Sequence, residues 1–572
     1  MSSSKHTQFE LLKMILILSS IAIVIEYAET MLLPAIPDII KEFNSTYSSS
    51  SWILSGYLIT AAVMAPLVGK LSDTYGKKKV LISIMSIFTA SIALAGFSSN
   101  MTILIAVRVV QGIGLSMFII ALSILQSSVP KEKYALANGI LASTYFSGSS
   151  IGILLGGSII HYFGWRTIFF SLIPVVITLL VVVLRVLNVR ENEELKQHVD
   201  VEVDREEKRG KQGFSLSAKN NMHEKEEVEK AASSITSNSK ANNNNYFVHS
   251  PNVKKNTFLK SLDIRGAIIF LIAITSFLAA LTYMENGNSS VSSGNTTVDT
   301  SSNANHHGYD SSGRSILIPT LLSVSIISFI LFIIAEKKRT ITTTAPLIDF
   351  RLITNKTILP VLVMFLILGF TMFMVYQTVP ILARAPIPLG LGGNAITSSF
   401  ILIPFTLVFL ILSPIVGIIV RKFGNMILFV AGSVISAIGY FSIFLFHSSQ
   451  LEVSASLAIV STGLALLNTI GMNIVMLSTP KQFGGATIAM VQVLTFIGMS
   501  IGPVVGAMYM QNYQVHTDGI SNTSSASYPS PEAYYLIFLT AAIASLFFIA
   551  LAIILKRQDP QAVSESTINH QR

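Results

Sequence analysis

Fourteen mostly apolar stretches, each about 20 residues long, recur along this 572-residue chain, and membrane-length segments in that number constrain the fold more than any other feature. They lie at approximately 11–34, 52–70, 79–97, 102–124, 135–160, 167–187, 264–284, 315–335, 358–382, 395–420, 426–446, 454–477, 486–510 and 533–555. Backbone polar groups in hydrocarbon must bond internally, so segments of this length become helices. Only 12% of residues are charged, about half the level of soluble domains, and mean hydropathy is +0.62. The fold class is an all-α polytopic membrane protein. With no cysteine, disulfide frameworks, thiol catalysis and Cys-ligated metal centres are excluded.

The charges set the orientation. Of 39 Lys and Arg residues, Arg108 alone falls well inside a span and away from its cytoplasmic end; Lys13, Lys70, Lys79, Arg185 and Arg265 stand at cytoplasmic span ends and count as inside. With a cytoplasmic N-terminus, Lys41, Arg166, Arg314 and Arg384 lie outside and the others inside. Leaving out the thirteen between Arg190 and Lys260 still gives 21 against 4. Both termini are therefore expected in the cytoplasm, with no cleavable signal peptide. The net charge of +9 reads as a topology signal, not a nucleic-acid footprint. Trp52 and Trp165 fall at predicted outer interfaces, as an aromatic belt would have it.

Two segments lack the apolar residues for a core. Residues 191–260, with the run Asn242–Asn245, are expected to be a disordered cytoplasmic loop. Residues 286–314 read as a Ser/Asn/Thr-rich outer loop, whose His306–His307 pair is expected to be solvated, with no metal site. No Gly-Lys-Ser/Thr phosphate loop, His-Glu-x-x-His or Gly-x-Ser-x-Gly occurs, so nothing points to an enzyme.

Motifs recur between the two ends of the chain. After span 2 the chain reads Gly69-Lys-Leu-Ser-Asp73-Thr-Tyr-Gly76-Lys77-Lys78-Lys79, a tight basic turn in which glycines permit close approach and Asp73 can cap a helix or pair with a cation. Gly417-Ile-Ile-Val-Arg-Lys-Phe-Gly424 echoes it 348 residues later. Span 5 carries Gly148, Gly152, Gly156 and Gly157, small residues on one helix face that admit a neighbouring helix. Gly498, Gly502, Pro503 and Gly506 in span 13 echo it at an offset of 350, and this copy has a proline where span 5 has Ile153. Spans 2 and 5 map onto spans 10 and 13, so spans 1–6 and 9–14 form two six-helix halves with spans 7–8 inserted. The domains follow: 1–190, a first bundle; 191–262, the loop; 263–340, the inserted pair; 341–557, a second bundle; 558–572, a tail.

The order G-x-L-x-D-x-x-G-K-K resembles the signature loop of the major facilitator superfamily. Leu104-x-x-x-Arg108-x-x-Gln111-Gly112-x-Gly114 resembles the second signature of its exporters, and the span 5 glycines resemble its antiporter signature, with Ile153 in place of proline. Fourteen spans, Trp165-Arg166, Asp263-x-x-Gly266 and Ala345-Pro346-Leu347-Ile348-Asp349 resemble its drug:proton antiporter family. The resemblance implies the major facilitator fold, a gating role for Gly69, Asp73, Gly76 and Lys77, a proton-linked role for Arg108, and a proton gradient as driving force with no cofactor.

Span 1 carries the pair Glu26 and Glu29 around Tyr27, followed by Thr30 and Pro34. At 1.5 Å per residue from Leu11, Glu26 lies ~22 Å and Glu29 ~27 Å along the span. An i,i+3 pair shares a helix face, and two carboxylates in a low-dielectric cleft resist simultaneous ionisation, as proton coupling requires. Tyr27 beside a carboxylate suits a lipophilic cation. In the family pattern the acid stands at the position of Ala28, so either glutamate remains a candidate. Arg108 lies ~9 Å into its span, facing a cavity or snorkelling outward. Gln111, Tyr376, Gln377, Asn468, Asn473 and Gln492 are candidate pocket-lining residues, with Phe370 and Phe373 near them.

The function expected is a monomeric multidrug exporter of the cell membrane, exchanging amphipathic or cationic compounds for protons. A specific exporter or symporter of a metabolite, lipid or siderophore, and a non-transporting sensor, are the alternatives.

Overall fold

The computed structural model describes residues 2–129, 131–187, 264–284, 311–341, 355–479, 484–517 and 526–558. Residues 191–260, the His306–His307 pair and the 558–572 tail beyond its first residue lie outside the described residues. Helices occupy all fourteen predicted positions: α1 (Ser2–Thr30), α2 (Tyr47–Tyr75), α3 (Lys77–Gly96), α4 (Met101–Gln111 and Ser116–Ser128), α5 (Lys131–Phe163), α6 (Arg166–Val186), α7 (Ile264–Met284), α8 (Ser311–Ile341), α9 (Ile358–Arg384), α10 (Ala395–Phe423), α11 (Asn425–Leu445), α12 (Gln450–Ser478), α13 (Gly484–Asn512) and α14 (Pro531–Gln558). Thirteen are long and apolar enough by composition to cross a membrane, and α5, 33 residues long, fills the fifth position. The only sheet among the described residues is a hairpin of β1 (Gln514–Thr517) and β2 (Ala526–Pro529) before α14.

Several ends differ from the apolar pattern. The chain after α1 continues through a 3-10 turn, Leu33–Ala35, into a short helix, Ile36–Glu42, because prolines 34 and 37 suit first-turn positions. The fourth span is broken by a 3-10 turn at Gly112–Leu115. There a side chain on Gly112 would meet the Tyr57 backbone and Thr60, and one on Gly114 would meet the Phe88 ring. Helix α8 begins at Ser311, inside the predicted outer loop. Helix α5 runs unbroken through Ile153, and α13 runs unbroken through Pro503. Trp165 departs from the aromatic-belt expectation: it is 4% exposed, and its Nε1 donates to Glu42 Oε2 at 2.5 Å.

Packing repeats with a shift of eight helices. Helix α1 lies on α5, α2 on α4 and α3 on α6; likewise α9 lies on α13, α10 on α12 and α11 on α14. The halves meet along two seams, α2 with α13 and α5 with α10. The hairpin α7–α8 is held by stacked Phe270 and Phe332, 4.7 Å apart, and α7 leans on α2 and α13. The basic turns repeat as well, since Gly76 and Gly424 adopt φ of 96° and 77°, conformations that favour glycine.

Glycines set the tightest crossings. A Cβ on Gly152 would lie 2.9 Å from Tyr27 O and 3.0 Å from Tyr27 Cα; one on Gly148 would lie 2.9 Å from Glu26 Cβ. One on Gly502 would meet Met374 N at 2.7 Å and Phe370 O closer still. Gly417 has nothing within 4 Å. Gly152→Val should therefore destabilise the protein by roughly 1–3 kcal/mol, the usual effect of overpacking. Gly417→Val should leave the thermal midpoint in detergent unchanged, and the comparison of the two midpoints is the check.

Candidate functional site

The crossing of α1 with α5 fixes the position of the glutamates. Gly148 and Gly152 draw α5 onto the backbone of Ile23–Thr30, and Thr30 Oγ1 reaches Glu26 O (2.9 Å) and Ser149 O (3.2 Å). The side chains at and beside this crossing are buried. Glu26 is 5% exposed, Glu29 1% and Tyr27 9%, so Glu29 is no water-exposed mouth residue. Neither carboxylate oxygen of Glu29 has a hydrogen-bond partner among the described residues. The charges acting on it are Glu26 and Arg108.

Arg108 points inward and does not snorkel; it is fully buried. Its Nε donates to Ile53 O at 3.3 Å, and its Nη1 donates to Ala28 O at 3.3 Å and to Gln111 Oε1 at 3.0 Å. The guanidinium stacks over the Tyr57 ring, 4.1 Å from its centroid. Its Nη2 and Gln111 Nε2 have no partner among the described residues. Arg108 thus ties α1, α2 and α4 together beside Glu29. Because Ala28 contributes its carbonyl to Arg108, the acid-position departure seen in the sequence leaves the arginine attached to the same helix turn.

From the other half, α9 presents Tyr376, within the field of both Glu26 and Glu29. Tyr376 belongs to an aromatic wall, with Phe373 at 5.5 Å and Phe405 at 5.0 Å between ring centroids, and Phe409 lies 6.3 Å beyond Phe405. Gln377 beside it is fully buried, and neither of its amide atoms is hydrogen-bonded among the described residues.

The other predicted residues divide. Asn473 is taken up by helix packing, donating to Asn425 Oδ1 at 2.7 Å, while Asn468 and Gln492 are half-buried on α12 and α13. Phe370 offers its carbonyl to the Gly502 crossing. Gly69, Asp73, Gly76 and Lys77 stand apart, at the turn between α2 and α3. Lys77 Nζ donates to Ser123 O at 2.9 Å and to Ser127 Oγ at 3.1 Å, fastening the turn to α4 of the same half; the Asp73 side chain lies outside the described ones. Sequence reasoning missed Tyr57 and Phe405, whose neighbours are carbon and arginine from other helices, so no local spacing marks them.

Arg108→Ala would leave two backbone carbonyls, Gln111 Oε1 and the Glu29 charge without their cation. Breaking a buried charge arrangement costs about 3–5 kcal/mol, so a marked fall in thermal midpoint in detergent is expected. Arg108→Lys, which keeps the charge and loses the flat fork over Tyr57, should fall in between.

The family description Major Facilitator Superfamily matches residues 18–345, 267–503 and 361–570. An uncharacterised transporter of that superfamily from Mycobacterium tuberculosis (strain CDC 1551 / Oshkosh) is 32% identical over 155 residues, covering 27% of this chain and 22% of the relative. The multidrug transporter protein MdtP of Bacillus subtilis (strain 168) is 32% identical over 158 residues, covering 27% of this chain and 29% of MdtP. The chain thus matches under a third of the length of these relatives. The crystal structure of a peptide transporter, POT, in complex with alafosfalin superposes with a TM-score of 0.55 at 13% identity, covering 96% of this chain and 95% of that one, which shows the fold. The match running from residue 18 to residue 570, on two six-helix halves with paired seams, places this chain in the Major Facilitator Superfamily.

Proposed function

We propose that the protein is a fourteen-span drug:proton antiporter of the cell membrane, with both termini cytoplasmic, that exports amphipathic cations by alternating access. The observation that carries this reading is the buried pair Glu26 and Glu29, set between Arg108 and Tyr57 of one half and the aromatic wall around Tyr376 of the other. Carboxylates give a cation its counter-charge, and ring faces suit its apolar body and its charge together. Similarity to a multidrug transporter supports the substrate class.

The two acids take different parts. Glu29 lies within the field of Arg108, and neither of its oxygens is hydrogen-bonded among the described residues, so Glu29 is assigned to the proton. Glu26, one turn deeper in α1 and also buried, is assigned to the substrate cation. A proton or a cation at one acid changes the field at the other, which couples the two in a low-dielectric interior. The site needs no cofactor, and a single chain holds all of its parts.

Accumulation of a fluorescent lipophilic cation by proteoliposomes under an imposed pH gradient tests this. The wild-type protein should accumulate the cation and stop when the gradient is collapsed. Glu29→Gln should bind the cation and lose gradient-driven accumulation, while Glu26→Gln should weaken binding by tenfold or more, about 1.4 kcal/mol. A wild-type protein inert towards a broad cation panel, or indifferent to the gradient, would overturn the reading.

A further inference from the structure

The seams between the halves carry polar contacts at one end of the helices. Define the far end as the one at which α1 finishes and α2 begins. Among the described residues, three hydrogen bonds close the seams in the far half of the helices. Ser55 Oγ donates to Ser500 O at 2.7 Å across α2 and α13, and Ser399 Oγ donates to Ile153 O at 2.8 Å across α10 and α5. Tyr47 N, at the start of α2, donates to Gln511 Oε1 at 3.1 Å. Beyond these stands one ion pair. Arg384, in the last turn of α9, grips Asp38 of the short helix Ile36–Glu42 with both arms of its fork, Nη1 to Oδ2 at 2.6 Å and Nη2 to Oδ1 at 2.5 Å. Its Nη1 also donates to Pro34 O at 3.2 Å.

This pair is built to hold. Its side chains are 21% and 30% exposed, well below the level of a free surface pair, and two parallel charge-assisted bonds fix its geometry. Both partners sit on rigid arms. Asp38 follows the proline-fixed turn Leu33–Ala35, and the short helix is tied back through Glu42, which accepts from Trp165 and Arg166. Arg384 precedes a compact turn in which Leu391, Gly392 and Gly393 donate their backbone N–H groups to the carbonyls of Leu382, Ala385 and Ala383. The pair lines a cavity of about 520 Å³ shared by both halves, with Lys41, His161, Trp165 and Asn394.

We propose that Asp38 and Arg384 form the far-end gate, an ion-pair clasp between the halves that must open in each transport cycle and whose strength sets the balance between states open at the two ends. The clasp joins the chain after α1 to the end of α9, and both of its residues line the 520 Å³ cavity. The proposal rests on the two halves moving as in alternating access, and not on the drug or proton assignments.

The chain contains no cysteine, so one introduced thiol reports alone. Ser399→Cys places it in the far half of the α5–α10 seam, where Ser399 is 1% exposed. Purified protein carrying this thiol is labelled with a maleimide in detergent, without substrate or gradient. The parent should react slowly. Asp38→Asn and Arg384→Gln should each speed labelling by about five- to tenfold, as loss of a charge-assisted bidentate pair implies. The exchanged pair Asp38→Arg with Arg384→Asp should return it to near the parent rate. Arg384→Lys, which keeps the charge without the fork, should be intermediate, and it decides the question if a neutral variant fails to elute as a single species. Single variants that label no faster than the parent overturn the gate, and so does an exchanged pair as fast as the single variants. Because labelling uses neither drug nor proton gradient, failure of the export reading would leave this result standing.

Discussion

Backbone-to-backbone contact between α1 and α5 is the constraint on which the centre of the molecule depends. In a bilayer the apolar side chains of a helix gain little from meeting one another, since lipid is as apolar as they are; close packing and satisfied polar groups must hold helices together. Gly148, Gly152 and Gly156 supply that closeness by letting α5 ride on the carbonyls of Ile23, Tyr27 and Met31. With α1 held in this way, Glu26 and Glu29 are buried within the protein. Gly157, on the same helix, lies against Ser399 of the other half. One run of small residues thus fixes both the acidic site and a seam.

The second half shows what the same scaffold does without the acids. Gly498 and Gly502 lie against Leu366, Phe370 and Met374, as Gly148, Gly152 and Gly156 lie against Ile23, Tyr27 and Met31, with a constant offset of 343 residues along α1 and α9. By that register Glu26 corresponds to Gly369, where the Thr495 backbone closes in. Pro34 corresponds to Gln377, and Lys41 to Arg384. The halves therefore share their crossings and differ in a few side chains. One carries the carboxylates and their arginine, and the other carries aromatic rings and an amide, Gln377, that is unbonded among the described residues. Asymmetry of function needs no asymmetry of fold here.

The fold was legible because its signals are long and redundant. Apolar stretches of membrane length leave little choice but helices, and glycine runs repeated at an offset of 350 point to two equivalent halves. The buried acids were legible from Glu26 and Glu29 standing three apart in an apolar span. What was not legible depends on contacts between residues distant in sequence. Arg108 two turns into its span was compatible with snorkelling, and Tyr57, 51 positions earlier, decides otherwise by lying under the guanidinium. Arg384 reads in the sequence only as one of four outer charges, and its meeting with Asp38, 346 positions away, appears only in the fold. Trp165 looked like an interface anchor until Glu42 claimed its indole N–H. Asn473 carried the polar character of a pocket residue and is spent on Asn425.

The charge count at the centre gives the proposed exchange its physical footing. Glu26, Glu29 and Arg108 are buried together, and uncompensated charge in such a place is strongly disfavoured. With both acids ionised and the arginine charged, the cluster carries one net negative charge. A single proton balances it, and so does a single monovalent cation lodged against Tyr376. Both together would leave a surplus positive charge beside a guanidinium that is already fixed by Ile53, Ala28, Gln111 and Tyr57. In the proposed exchange, proton and cationic substrate would thus compete for one unit of charge. Arg108 matters to that competition because it cannot leave: without its fixed charge the cluster would have room for both, and the two fluxes would uncouple.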